Sequence, residues 1–273
     1  MALYGVIGDV HGNREALCAA LARCEERGVD CIICVGDIVG YNADPDECVA
    51  LLAERNVLAV AGNHDLISIG KLGFARCANK VVYSLKRTRR ALAPRTIAYL
   101  GSLPEHRLLE ERVLVCHAGV RDVERYLVTA GQVRQNAQEL RADFPAAAIC
   151  LFGHVHTQKV YEVDGDDVSD LPLGGPVELR ADRLYFINPG SVDAARKHGA
   201  KRAEYAVLDS AAWRIEFHDT AYDDASSEAR AAAGGYRIGY WTDRWYSARR
   251  RALSHLARMS AGLGAALHMG RTD

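Results

Sequence analysis

Short apolar runs that end abruptly in a polar residue recur along the chain. Residues Ala2 to Ile7 alternate too little for a strand with one face in water, so they read as a buried strand. That strand ends in Gly8-Asp9-Val10-His11-Gly12-Asn13, which places a carboxylate and an imidazole two residues apart. Asn13 then suits a helix N-cap, and Ala16, Leu17, Ala20, Leu21 and Cys24 form an apolar stripe of helical period that stops near Gly28. The run Cys31 to Val35 leads into Gly36-Asp37-Ile38-Val39-Gly40. In Asp44-Pro45-Asp46-Glu47 a capping aspartate, a first-turn proline and an acidic third position open a helix that runs to about Arg55. A third run, Val57 to Ala61, ends in Gly62-Asn63-His64-Asp65. Together these make a βαβαβ unit with right-handed crossovers and a parallel core, which gathers Asp9, Asp37 and Asn63 at one sheet edge. Tight turns explain the glycines at such strand ends, but not the ligand-capable side chains that follow them.

From Asp65 to about Arg90 the spacing predicts helix, with Lys86, Arg87, Arg89 and Arg90 clustered near its end, read as a solvated basic face in preference to a substrate contact. Pro94 to Leu100 predicts a further short helix. Strand Arg112 to Cys116 delivers His117-Ala118-Gly119, Gly131 to Asp143 is helical, and strand Ala148 to Phe152 delivers Gly153-His154-Val155-His156. Strands then dominate: Lys159 to Val163, Leu184 to Ile187 running into Asn188-Pro189-Gly190-Ser191, Tyr205 to Leu208, and Trp213 to His218. The Gly-, Asp- and Pro-rich run from Asp164 to Pro176 reads as an exposed loop. Asp224 to Ala233 reads as a helix of small residues, and Tyr236 to Met259 mixes Tyr240, Trp241, Trp245 and Tyr246 with Arg244, Arg249, Arg250 and Arg251. Arginine among aromatics can bind single-stranded nucleic acid. Trp245, Leu253, Leu256 and Ala257 also fit a helix packed on the body or on a partner subunit, which is the favoured reading.

Length and composition narrow these readings. A chain of 273 residues with 49% hydrophobic and 25% charged residues is an ordinary globular composition able to bury a large core. No stretch reads as a long linker, so one domain over 1–273 is expected, with 222–273 a C-terminal helical extension packed on it. A net charge of −1 gives no global attraction for nucleic acid or anionic membrane, so any pull on an anionic substrate is local. No apolar run is long enough to suggest a membrane span, and the first strand begins without the zones of a signal peptide, which together point to the cytoplasm. Eight cysteines are scattered through predicted helices and strands. Cys31-x-x-Cys34 is their only close pair, and a three-residue offset in a strand turns its side chains to opposite faces. Buried reduced thiols are expected.

The chemistry lies in the strand ends. Asp9, His11, Asp37, Asn63, His117, His154 and His156 are seven N and O donors, each on a turn after a strand and none a thiolate. Such a mixture suits two borderline divalent cations, Mn, Fe, Zn or Ni, better than calcium or a tetrathiolate zinc. A single histidine is usually structural, but five of the ten at strand-end turns make a site the better reading.

These residues resemble the calcineurin-like binuclear metallophosphoesterases, and within them the compact bacterial phosphodiesterase group. The motifs are Gly8-Asp9-x-His11, Gly36-Asp37-x-x-Gly40, Gly62-Asn63-His64-Asp65, His117 with Ala118 and Gly119, and Gly153-His154-x-His156, spread over roughly residues 3 to 218. The resemblance implies an α/β fold, a four-layer αββα sandwich of two mixed β-sheets flanked by helices. It implies that Asp9, His11, Asp37 and His156 hold one metal and Asp37, Asn63, His117 and His154 the other, with Asp37 as bridge. A metal-bridging hydroxide would attack phosphorus in line, with no phosphoenzyme. His64 would protonate the leaving oxygen, or, less directly, only orient the phosphate alongside Asn63. Protein phosphatases of this superfamily carry Gly-Asp-x-x-Asp-Arg-Gly, where this chain reads Gly36-Asp37-Ile38-Val39-Gly40-Tyr41-Asn42, so phosphodiesters are favoured as substrates. The turn amides of Gly190 and Ser191 could cradle phosphate, or the turn could be a plain one. Alternatives are a phosphomonoesterase, a protein phosphatase or a nucleotide pyrophosphatase on the same site, and a non-catalytic protein-binding scaffold. The expected partner is a phosphate ester, with nucleic acid only as substrate, no membrane, and a homo-oligomer possible through the C-terminal helices.

Overall fold

A computed structural model describes residues 2–193 and 201–249. Its strands are β1 (Leu3–Ile7), β2 (Cys31–Cys34), β3 (Leu58–Ala59), β4 (Arg107–Leu109), β5 (Val113–Val115), β6 (Ile149–Leu151), β7 (Gln158–Asp164), β8 (Asp167–Asp170), β9 (Val177–Glu178), β10 (Leu184–Pro189), β11 (Ala203–Asp209) and β12 (Arg214–Thr220). The helices are α1 (Arg14–Glu26), α2 (Pro45–Glu54), α3 (Asn63–Ser68), α4 (Asn79–Ala91), α5 (Pro94–Ser102), α6 (Ala130–Asp143) and α7 (Asp224–Ala233). One six-stranded sheet has the order β3-β2-β1-β11-β12-β9 and the other β4-β5-β6-β10-β7-β8. Strands β1, β2 and β3 run parallel in the first, and β5, β6 and β10 run parallel in the second. Antiparallel partners complete each sheet, so both are mixed, as expected.

The near-continuous apolar runs follow from strands buried on both faces. Tyr4, Val6 and Ile33 of the first sheet meet Val113, Ile149, Tyr185 and Ile187 of the second in a core between the sheets. Their alternates face outward: Ile7, Ile32 and Cys34 pack under α1 and α2, while Leu114, Cys150 and Phe186 pack under α6. Helix, sheet, sheet and helix are thus four layers. Cys31 and Cys34 fall in different cores, as the three-residue offset requires. All eight cysteines are free, but Cys18 is exposed and Cys31 half-buried rather than buried. No helix among the described residues is long and apolar enough to cross a membrane.

Several elements differ from expectation. The single helix from Asp65 to Arg90 is two, α3 and α4, parted at residues 69–78, where Gly70 takes a φ of +85°. The loop from Asp164 to Pro176 contains β8, which turns back on β7 around Gly165 (φ +58°). Its Asp-Val-Ser-Asp sequence carries almost no hydrophobic signal. Asp44 does stand at the N-cap of α2 without making a capping bond; its carboxylate accepts from Arg230 of α7 at 3.1 and 3.2 Å instead. Helix α7 lies on α1, with Ala231 buried and Arg230 also reaching Glu15. Residues 240–249 are helical and meet α4 through Tyr246 and Ser247, while Trp245 is 56% exposed on this chain. Leu253, Leu256 and Ala257 lie outside the described residues, as do Arg250 and Arg251.

Candidate metal centre

The carboxyl ends of parallel strands from both sheets meet at one edge. Asp9 and His11 follow β1, Asp37 follows β2, and Asn63 opens α3 after β3, while His117 follows β5 and His154 and His156 follow β6. All seven, and His64, are buried. Asp9, His11, Asp37, His154 and His156 have φ of 51°, 52°, 55°, 65° and 62°, the left-handed region that side chains other than glycine avoid. Such backbone costs on the order of 1–3 kcal/mol per residue and persists only where the surroundings impose it. Here the Asp9 N–H donates to the Gly36 carbonyl at 3.0 Å and the His11 N–H to the Asp37 carbonyl at 2.9 Å, tying the two turns together. The His154 N–H reaches across from the other sheet to both Asp9 carboxylate oxygens at 3.1 Å.

The side chains converge. The Nε2 atoms of His11 and His156 stand 3.1 Å apart, and His156 Nε2 is 3.2 Å from Asp9 Oδ1. Asp37 Oδ2 lies 3.8 Å from His11 Nε2 and 3.4 Å from His117 Nε2, and the latter is 3.1 Å from Asn63 Oδ1. Among the described residues, three sets have donor atoms within 4.8 Å of one another: Asp9, His11 and His156; His11, Asp37 and His64; and Asp37, His117 and His154. His64, expected as a proton donor rather than a ligand, therefore lies within reach of the same centre.

The donor set fits a cation. Two ring nitrogens facing each other at 3.1 Å can share only one proton, and two bare lone pairs there repel. His117 Nδ1 donates to the Val35 carbonyl at 2.8 Å, which aims Nε2 at Asp37 and Asn63. Burial alone would raise the Asp9 carboxyl, but the adjacent His156 outweighs it and holds the group at about 2. Burial likewise opposes ionisation of Asp37, and His117 and His64 overcome it, leaving the carboxyl well below its ordinary range. Burial would lower His117, yet Asp37 beside it lifts the imidazole to about 10. A proton on His117 thus supplies positive charge that a metal could supply in its place. His11 and His64 are pushed down, chiefly by burial.

The spacing Gly36-Asp37-x-x-Gly40 has a steric reason. Gly40 has a φ of +152°, and a Cβ there would stand 2.6 Å from His64 Nδ1 and 2.8 Å from His11 Nδ1. Asp65 accepts from the N–H groups of Val39 at 3.0 Å and Gly62 at 2.9 Å, and burial followed by the nearby Asp37 charge raises it to about 7. The His64 N–H donates to Asp37 Oδ1 at 2.8 Å.

Sequence reasoning missed the role of Asp193, which no apolar run announces. It accepts from Asn13 at 2.8 Å and Asn42 at 2.6 Å, so Asn13 both caps α1, as expected, and holds this buried carboxyl. Gly190 and Ser191 do not offer amides to a phosphate. The Gly190 N–H donates to Asn188 Oδ1 at 2.9 Å and the Ser191 N–H to Glu204 Oε2 at 3.2 Å, which makes the turn a structural one. The mouth of the centre is a cavity of about 430 Å³ whose lining includes Asn63, His64, His154, Tyr126, Arg76 and Lys80. The Tyr126 ring lies tilted against His154 at 4.2 Å, and Tyr41 stands edge-on to His11 at 4.6 Å.

Comparison with known proteins agrees with this geometry. The chain is 32% identical over 224 residues to the uncharacterized protein MJ0912 of Methanocaldococcus jannaschii, covering 81% of this chain and 88% of that one. A metallophosphoesterase from Sphaerobacter thermophilus, known as a crystal structure, is 30% identical with a TM-score of 0.70 over 85% of this chain and 94% of its own. The hypothetical protein PH1004 from Pyrococcus horikoshii OT3 shares the fold at 18% identity, with a TM-score of 0.67 over 87% of this chain and 95% of its own. The calcineurin-like phosphoesterase superfamily domain matches residues 2–212, a span that holds every strand-end donor described above, and the chain belongs to that superfamily.

Proposed function

We propose that this phosphoester hydrolase works with two divalent cations and favours phosphodiesters. The observation that carries the reading is the position of Asp37, one carboxylate shared between a donor set on the His11 side and another on the His117 and His154 side. Asp9, His11, Asp37 and His156 would hold one ion and Asp37, Asn63, His117 and His154 the other, from among Mn, Fe, Zn and Ni. Bound there, the two ions supply positive charge and lower the pKa of coordinated water.

The chain's own groups have distinct tasks. His117 is held by the Val35 carbonyl so that its Nε2 faces the centre. Asn63 brings a neutral oxygen, which leaves the site with fewer negative charges and so more attractive to an anion. His64 is the proton donor to the leaving oxygen. Burial lowers its imidazole, and the negative charge of an incoming phosphate works in the opposite direction. At the mouth, Arg76 is already engaged by both Asp122 carboxylate oxygens at 2.9 Å, which leaves Lys80 as the uncommitted cation among the described residues there. So little positive charge suits a singly charged diester better than a monoester dianion.

The test is a panel. Protein stripped of metal and reloaded with Mn, Fe, Zn or Ni in turn is assayed on a bis-aryl phosphate, an aryl monophosphate and a dinucleotide. The stripped protein is expected to be inactive and the reloaded protein to show its highest kcat/KM on a diester. Inactivity on all three substrates with every metal ends the enzyme reading, while a monoester preference ends the diester assignment alone.

A further inference from the structure

Helix α4 carries Lys80, Tyr83, Arg87 and Arg90 at intervals of three and four residues, so the four share one helix face. Its two ends serve different cavities. Lys80 lines the mouth of the candidate metal centre, while Tyr83, Arg87 and Arg90 line a second cavity of about 390 Å³ with Lys86, Trp245 and Arg249. At the rise of a helix, Lys80 and Arg87 are about 10 Å apart along the axis. The one face is therefore a cationic track leading away from the centre.

The second cavity has an unusual lining. Its described lining contains no carboxylate, and three of its cations lie against rings: Lys86 Nζ is 5.5 Å from the Tyr246 ring, Arg249 is 5.5 Å from Trp245, and Arg87 is 5.9 Å from Tyr236. None of Lys86, Arg87, Arg90 and Arg249 pairs with a carboxylate among the described residues. Tyr246 stands edge-on to Tyr83 at 6.3 Å, which fixes the helix of residues 240–249 against α4 and holds the groove's two walls together. Trp245 keeps 56% of its surface exposed, so packing on the body does not account for it.

We propose that this groove binds single-stranded nucleic acid and guides it along α4 toward the metal centre. The inference rests on the phosphodiesterase reading above and names its substrate class. Cations with no carboxylate partner among the described residues meet a phosphate backbone, the exposed Trp245 ring offers a surface for a base, and neither requires a particular sequence. In a protein of net charge −1 the attraction is local to the groove. The chain that binds there carries the bond type that the neighbouring centre is read to cut.

Fluorescence anisotropy of labelled oligothymidylate and oligouridylate, with full-length protein in EDTA to prevent cleavage, tests the proposal. Binding is expected, weakening as salt rises. K86E/R90E is expected to lose it by about tenfold or more, whereas the same two-charge reversal on exposed Arg95 and Arg141 of α5 and α6 leaves it in place. Trp245→Phe removes an indole, and with it part of the tryptophan quenching that accompanies binding. Absence of binding, or equal loss in both double variants, overturns the proposal. So does binding to phosphatidylserine vesicles without binding to oligonucleotide. Hydrolysis of a bis-aryl phosphate by the same metal-loaded preparation separates the outcomes: a working centre with no oligonucleotide binding refutes the groove and leaves the phosphoesterase standing.

Discussion

At the strand ends, Asp9, Asp37 and His117 are at most 1% exposed, and backbone N–H or carbonyl groups fix a side chain of each. In the groove between α4 and the helix of residues 240–249, Arg87, Arg90 and Trp245 are exposed, and rings or cations lie against Arg87 and Trp245. The first region is held in place by the protein's own backbone hydrogen bonds, with the backbone strain of five left-handed residues absorbed by the fold. The second leaves long, adaptable side chains on a helix. Rigid placement suits chemistry, where a small displacement is expensive, and adaptable charge suits attraction of a varied partner.

Substitutions should separate the two regions by the size of their effects. The largest belongs to Asp37→Asn, which removes the charge shared by two donor sets; we expect kcat/KM to fall by about a thousandfold or more, with loss of bound metal by elemental analysis. Retention of two ions and near-normal turnover would show that Asp37 is not the bridge. Next, His64→Ala should keep both metals and lower kcat by about 10²- to 10⁴-fold, most for esters with poor leaving groups. An equal loss for good and poor leaving groups would reassign His64 to phosphate binding or to the metal. Gly40→Ala drives a methyl against His64 and His11, and a misplacement of that kind costs about 10²-fold in activity. Wild-type activity and melting temperature in that variant would mean that the rings give way easily. The smallest effect is expected at Trp241, 79% exposed: Trp241→Ala should leave stability within about 0.5 kcal/mol by denaturant titration. A larger loss would place that indole in a structural contact and blur the contrast.

Most of the centre was legible in sequence because each donor follows an apolar run, and a strand buried on both faces writes its length and its end in hydrophobicity. Asp9, Asp37, Asn63, His117 and His154 all stand at such transitions. What lacked a hydrophobic signature was not legible. The polar strand β8 is held to β7 by its backbone ladder and by the Lys159–Asp170 ion pair, neither of which writes a hydrophobic pattern, and it read as loop. The amides of Gly190 and Ser191 could be counted as free only until Asn188 and Glu204 were placed beside them. Asp193 meets Asn13 across 180 residues, a separation at which local pattern carries no information. Trp245 has the spacing of a packing residue, and only the position of its described neighbours shows how much of it is exposed.

The centre draws Asp9, Asp37 and Asn63 from one sheet and His117, His154 and His156 from the other. An ion held between them is then a fastener across the seam as much as a reagent. Because the unfolded chain scatters these ligands, binding energy becomes folding energy by linkage. Loading the centre with metal should therefore raise the melting temperature in proportion to the logarithm of free ion concentration. On this view the sandwich closes most tightly when it is ready to react.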